Sequence, residues 1–148
     1  MKEFLSVAAI EYGTVIDHIP AKTGLRIAHL LKLASYRHQV TLGLNLPSKT
    51  MGYKDLLKVE GREVSESEAS QIAIFAPKAT INIIQNFELV KKFSVTLPEK
   101  IEGILHCSNE HCVTNHQEIL TRFKVSVSSH LISLKCYYCD KHFAYDTF

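Results

Sequence analysis

All four cysteines of this 148-residue chain fall in its last third, as Cys107-x4-Cys112 and Cys136-x2-Cys139. Two close pairs joined by a long β-rich excursion can place four thiols at one point, and everything between them must then fold around that point. Zn²⁺ suits such a point because it accepts four thiolates at roughly 2.3 Å in a tetrahedron without redox chemistry; four protein ligands also leave no open position for catalysis. The spacing therefore predicts one structural ion on Cys107, Cys112, Cys136 and Cys139. Buried thiols or two disulfides are the competing reading, and with no secretory feature in the sequence the expected setting is the reducing cytoplasm, which favours the metal. His106, His111, His116 and His142 lie beside the cysteines. Any of them serving as a ligand would leave a thiol unused.

A change in composition near Pro98 divides the chain into expected domains 1–97 and 98–148. The second part holds five of the eight histidines and all the cysteines, with five basic and six acidic side chains. About 50 residues bury too little apolar surface to be comfortably stable alone, so this β-rich domain needs a staple, and the metal is the candidate. Val125, Val127, Leu131, Ile132 and Leu134 are expected to furnish its β layer. Net charge is +2 for the whole chain, too near balance to advertise nucleic-acid or membrane binding. Four thiolates with one Zn²⁺ take the second part to about −3. That charge, and the want of a basic stripe interleaved with aromatics in the sequence, makes protein contact the default and a zinc-ribbon nucleic-acid-binding protein the alternative. No apolar run reaches the length of a membrane span.

In the first part, Ser6–Glu11 reads as a strand, with Asp17-His18-Ile19-Pro20 leading into a helix that has Pro20 near its first turn. Ile27, Leu30, Leu31 and Leu33 give the helical stripe. Val40, Leu42, Leu44 and Leu46 alternate with polar or small residues as a half-buried strand ended by Pro47, and Lys54–Glu60 reads as its hairpin partner. Ser65-x-x-Glu68 is a capping box opening a helix that Pro77 stops. Thr80–Asn86 and Phe87–Val95 supply one long or two short β segments. The order is βαββαβ, so the chain is read as α+β: a ferredoxin-like domain followed by a small β-rich zinc-binding domain. Asp17 and His18 have no nucleophile at a convincing spacing, and the closed metal site has no bound water, so no catalytic residue is expected.

Gly13-Thr14-Val15-Ile16-Asp17-His18-Ile19-Pro20, Gly43-Leu44-Asn45-Leu46-Pro47-Ser48, Met51-Gly52-x-Lys54-Asp55-Leu56, Ala76-Pro77-x-Ala79-Thr80 and Leu97-Pro98-Glu99 occur in that order before the cysteines. Together they resemble the regulatory chain of aspartate carbamoyltransferase over nearly the whole length. The resemblance implies a non-catalytic subunit of pyrimidine biosynthesis, whose first domain dimerises and binds nucleoside triphosphates (CTP, UTP, ATP) and whose zinc domain contacts the catalytic chain. By the same resemblance Val7, Ala9 and Ile10 meet the base, partly through backbone groups, and Asp17 and Lys58 hold the ribose and base region. His18 and Lys92 approach the phosphates, while Ile84, Phe87 and Leu89 line the base pocket. Read without it, Lys58 and Lys92 are ordinary solvated lysines on strands, and His18 is a satisfied turn histidine. Tyr12 and Ile83 depart from the pattern, standing where basic side chains are expected, and Phe4 does so in the short N-terminal arm.

Overall fold

The computed structural model describes residues 9–129 and 131–144. Two compact units divide the chain, Met1–Thr96 and Leu97–Phe148. In the first, β1 (Gly13–Pro20), α1 (Gly24–Leu30), β2 (Val40–Ser48), β3 (Gly52–Glu60), α2 (Glu66–Phe75), β4 (Thr80–Gln85) and β5 (Glu88–Ser94) follow in sequence. Their antiparallel sheet has the order β2-β3-β1-β4-β5. Strands β1 to β4 form the expected ferredoxin-like arrangement; β5 extends it by a hairpin. Asn86 and Phe87 both take positive φ, the two-residue turn whose twist suits a hairpin, which is why the last β stretch is two strands.

The first strand lies further along than the sequence pattern suggests. Residues 6–8 of the expected strand lie outside the described residues, and residues 9–11 are not in a strand. The β-branched run Thr14-Val15-Ile16 forms it instead, because it pairs on both sides, with β3 and with β4. Pro20 ends that strand rather than opening the helix, which starts at Gly24. Gly13 sits at φ +144°, where a Cβ would come 2.1 Å from the Val59 carbonyl oxygen, so no other residue fits without moving β3.

The alternation of β2 is also interrupted. Gly43 pairs with Leu56 and Leu46 with Lys54, so Leu44 and Asn45 together oppose Asp55 in a bulge. Leu44 is exposed as a result. Pro47 lies inside β2 and does not end it; an edge strand tolerates the missing donor. Asp55 stabilises this irregularity from beneath: fully buried, its carboxylate accepts from the backbone N–H of Gly24 at 2.8 Å and of Asn45 at 3.0 Å. One buried side chain thus ties the bulge to the first turn of α1.

On one face of the sheet Ile16, Leu57, Val59 and Ile81 are fully buried and form the core together with Ile27, Leu31, Ile72 and Ala73. The capping box is realised: Glu68 N–H donates to Ser65 Oγ at 3.1 Å, and Ser65 N–H to Glu68 Oε1 at 3.2 Å.

The second unit is a four-stranded antiparallel sheet of β6 (Lys100–Glu102), β7 (Arg122–Ser128), β8 (Leu131–Cys136) and β9 (His142–Ala144), in that order. Ile101, Phe123, Ile132 and Leu134 are buried beside Cys107, Cys112 and Cys136. Val127 and Leu131, expected in this layer, are instead 58% and 70% exposed. They stand at the free end of the β7–β8 hairpin, beyond the short strands β6 and β9, where none of the described residues of the unit covers them.

Candidate functional site

One long connection, one strand end and the turn that follows it deliver the thiols. Cys107 and Cys112 lie in the long connection after β6, which folds back on itself: Asn115 Nδ2 donates to the carbonyls of Cys107 at 2.9 Å and Asn109 at 2.8 Å, and Cys112 N–H bonds the Asn109 carbonyl at 3.0 Å. Cys136 ends β8, and the turn to β9 closes through Asp140 N–H on the Cys136 carbonyl at 2.9 Å. Asp140 takes positive φ there.

Cys107 Sγ lies 3.7 Å from Cys139 Sγ and Cys112 Sγ 3.8 Å from Cys136 Sγ; all four sulfurs fall within 4.8 Å of one another. Those separations are far beyond a disulfide bond, and all four cysteines are free. A tetrahedron with metal–sulfur bonds of roughly 2.3 Å has edges of about 3.8 Å, so the donor set fits a single ion. Burial pushes the Cys107 thiol up to about 12 and raises that of Cys136, with neighbouring sulfurs adding to it. Burial acts upward at Cys139 too, but the Lys141 backbone and the Asn109 side chain outweigh it and bring that thiol down to about 7. A cation among the sulfurs would offset the burial that holds Cys107 and Cys136 protonated. The cluster consists of thiols alone among the described residues, and the His116 ring is bonded to the Glu110 carbonyl at 2.7 Å instead.

The second candidate is the face of the five-stranded sheet opposite the buried one. Directly paired residues share a face, and register places Thr41, Lys58, Val15, Asn82 and Lys92 in one row across all five strands. Asp17 and Thr80 pair in a flanking row, and Ile84 and Leu89 in the other. Asp17, Lys58, Asn82, Ile84, Leu89 and Lys92 therefore converge on a surface that their sequence positions scatter widely. At ~4.8 Å per strand, Lys58 and Lys92 stand about 14 Å apart. That backbone span suits an extended ligand.

Lys58 is only 7% exposed. Burial lowers its pKa, and the nearby Asp17 charge offsets this only in part. Asp17 is itself partnered by Lys54, with Nζ 2.9 Å from Oδ1, and accepts the His18 N–H at 2.6 Å. Burial pushes its carboxyl up, but Lys54 and the His18 backbone outweigh that and hold it below the ordinary 3.8. A depressed folded-state pKa stabilises the fold above the unfolded value and loses that contribution as pH falls through the folded one. Thermal melts of wild type and Asp17→Asn should therefore show the wild-type advantage shrinking only below about pH 4.

His18 reaches the same face: its backbone is at φ 58°, and Nδ1 is 3.0 Å from Thr80 Oγ1. Ala9 is exposed and Ile10 buried, so Ile10 offers a ligand its backbone at most. Phe87 is exposed at the β4–β5 turn, and its N–H bonds the Glu11 carbonyl at 2.9 Å, which fastens the turn to the segment entering β1. Val7 lies outside the described residues. Lys54, Thr80 and Asn82 were not singled out from the sequence as site residues. Asn82 Nδ2 bonds the Val15 carbonyl at 3.1 Å, and only its pairing with Val15 marks it as a neighbour of Lys58. Ile83, by contrast, is buried on the helix-covered face, so its apolar character serves the core and takes no cation from this surface.

Both units match known protein families. Residues 5–96 match the aspartate carbamoyltransferase regulatory chain, allosteric domain, and residues 99–148 match the same chain's metal binding domain. The aspartate carbamoyltransferase regulatory chain of Vibrio cholerae is 47% identical over 142 residues, spanning 96% of this chain and 92% of its own length. That of Chromobacterium violaceum is 48% identical over 141 residues, 95% and 93% of the two chains. That of Yersinia enterocolitica is 48% identical over 139 residues, 94% and 90%. With both units matched in order and nearly half the residues shared along the whole length, this chain belongs to the family of aspartate carbamoyltransferase regulatory chains.

Proposed function

We propose that the chain senses nucleoside triphosphates on the polar face of its first sheet and passes their occupancy to a catalytic chain held by its metal unit. It is a regulatory, non-catalytic member of aspartate carbamoyltransferase in pyrimidine biosynthesis. The observation that carries the nucleotide reading is the row joining Lys58, Asn82 and Lys92, flanked by Asp17 and by Ile84 with Leu89. Ammonium groups suit phosphate oxygens, a carboxylate accepts ribose hydroxyls, amides read base edges, and the aliphatic pair offers a face for stacking. In this assignment Asp17 and Lys58 serve the ribose and base region, Lys92 and His18 the phosphates, and Ala9, Ile10 and Phe87 the base end together with Val7.

One Zn²⁺ on Cys107, Cys112, Cys136 and Cys139 would hold the second unit rigid, and it supplies no chemistry beyond that. Domains 1–97 and 98–148 then divide the labour, and a second copy of the chain completes a regulatory dimer through the first domain. Reduced thiolates fit a cytoplasmic setting. Nucleotide occupancy biases such an assembly only through differential affinity for its two quaternary states.

The deciding experiment mixes the purified chain with its catalytic partner and follows carbamoyl-aspartate formation. Aspartate saturation should become sensitive to CTP, UTP or ATP in the mixture, and the chain alone should form no product. Product formed by the isolated chain, or a nucleotide response in the catalytic partner freed of it, overturns the reading.

A further inference from the structure

The second unit is acidic as a whole, yet its sheet separates charge in a way the sequence hides. Lys100 pairs with Lys124, Lys124 with Lys135, and Lys135 with His142. Three lysines and a histidine, from four different strands, therefore form one row across the sheet. Arg122 lies two residues from Lys124 on the same face and pairs with Glu102. Four of the five Lys and Arg side chains in residues 98–148 are gathered on this surface. The opposite face is the buried one, with Ile101, Phe123, Leu134 and Cys136.

Like charges directly opposite one another in a sheet are destabilising. Internal acids relieve Lys100, Arg122 and Lys135: Lys100 Nζ is 3.2 Å and Arg122 Nε 3.9 Å from Glu102, and Lys135 Nζ is 3.8 Å from Asp140. The Lys124 ammonium, in the middle, has no ion-pair partner among the described residues. At ~4.8 Å per strand the row runs about 14 Å, a strip one residue wide.

We propose that this face is an electrostatic docking strip for an acidic protein surface, and, resting on the regulatory reading above, that the surface belongs to the catalytic chain. Charge complementarity selects the partner. A narrow row of exposed ammonium groups is suited to steering and register against carboxylates. A nucleic acid would instead extend past the strip onto a unit whose net charge, about −3 with its metal, repels phosphates.

The test uses the zinc-loaded full chain, as wild type and as the triple variant Lys100→Gln, Lys124→Gln, Lys135→Gln, and measures association with the catalytic chain from low to physiological salt. The variant should associate about tenfold more slowly at low salt and show a shallower salt dependence. Its dissociation rate, zinc content and nucleotide affinity should be unchanged, and its melting temperature equal or higher, because repulsion within the row is removed. Lys124→Glu alone should slow association further than Lys124→Gln. Equal association rates and salt dependence for wild type and triple variant overturn the strip while leaving the regulatory reading intact. No association of wild type with the catalytic chain overturns that reading, and with it the partner named here. DNA binding at physiological salt by wild type that the triple variant loses would reassign the strip to nucleic acid.

Discussion

Stripping the metal, or replacing Cys136 with serine, is expected to unfold residues 98–148 and leave the first unit folded. The second unit's apolar core is small, with Phe123, Leu134, Ile132 and Ile101 its main members. Three of the four thiols are themselves buried within it, so the ion would sit where a larger domain has further core. Structural zinc contributes on the order of 10–16 kcal/mol of apparent binding free energy in small domains, more than a unit of this size gains from apolar burial. Cys136 is the most telling position because it ends β8, pairs with Phe123 in β7, and also supplies a sulfur. Hydrogen exchange after chelation should show protection lost throughout β6–β9 and retained in β1–β5, and elemental analysis should find one zinc per wild-type chain. Absence of stoichiometric zinc, or a Cys136→Ser chain that keeps both metal and protection, would contradict the assignment. Association with the catalytic chain should be lost together with the metal.

In the first unit, Lys58→Ala and Lys92→Ala are expected to weaken triphosphate binding by about 10- to 100-fold each, the worth of a hydrogen bond to a charged group. They should differ in kind. Lys92 is exposed on β5 and assigned to phosphate, so its loss should penalise the triphosphate and spare the nucleoside. Lys58 is buried near Asp17, so its loss should affect both ligands. The lowered pKa of Lys58, caused first by burial, adds a pH signature. Charge on this lysine is disfavoured in the free protein, so an anion bound beside it raises the pKa, and binding near the top of the titration range takes up a proton. Calorimetry at alkaline pH in two buffers of different ionisation enthalpy should detect that uptake in wild type and not in Lys58→Ala. Equal affinity of wild type and the double alanine variant would remove the site from this face.

Periodicity and spacing made much of the molecule legible without coordinates. The capping box at Ser65 and Glu68, the hairpin partner of Val40–Leu46, the βαββαβ order and the four-thiol set are local or nearly local signals, and local physics produces them: a side chain reaches a backbone amide three residues on, and a knuckle brings two cysteines together across a few residues. The alternation of β2 misled at Leu44 because a bulge is stabilised from another strand, by Asp55, and nothing in the β2 sequence reports that carboxylate. Strand β1 was displaced for a related reason: which apolar run pairs on both sides is decided by the available partners, not by the run itself.

Register carries what the sequence alone does not. It sets Lys58, Asn82 and Lys92 in one row although each lies in a different strand, and it gathers Lys100, Lys124 and Lys135 on one face of a unit whose composition is acidic. It also leaves Val127 and Leu131 bare at the end of a hairpin longer than its neighbours. By itself the sequence determined the order of the main elements, the four-thiol set and the likeness to the family, because local patterns and ordered motifs suffice for them. Only the tertiary structure decided which side chains share a surface, because a shift of one residue in strand pairing would turn every one of them to the opposite face.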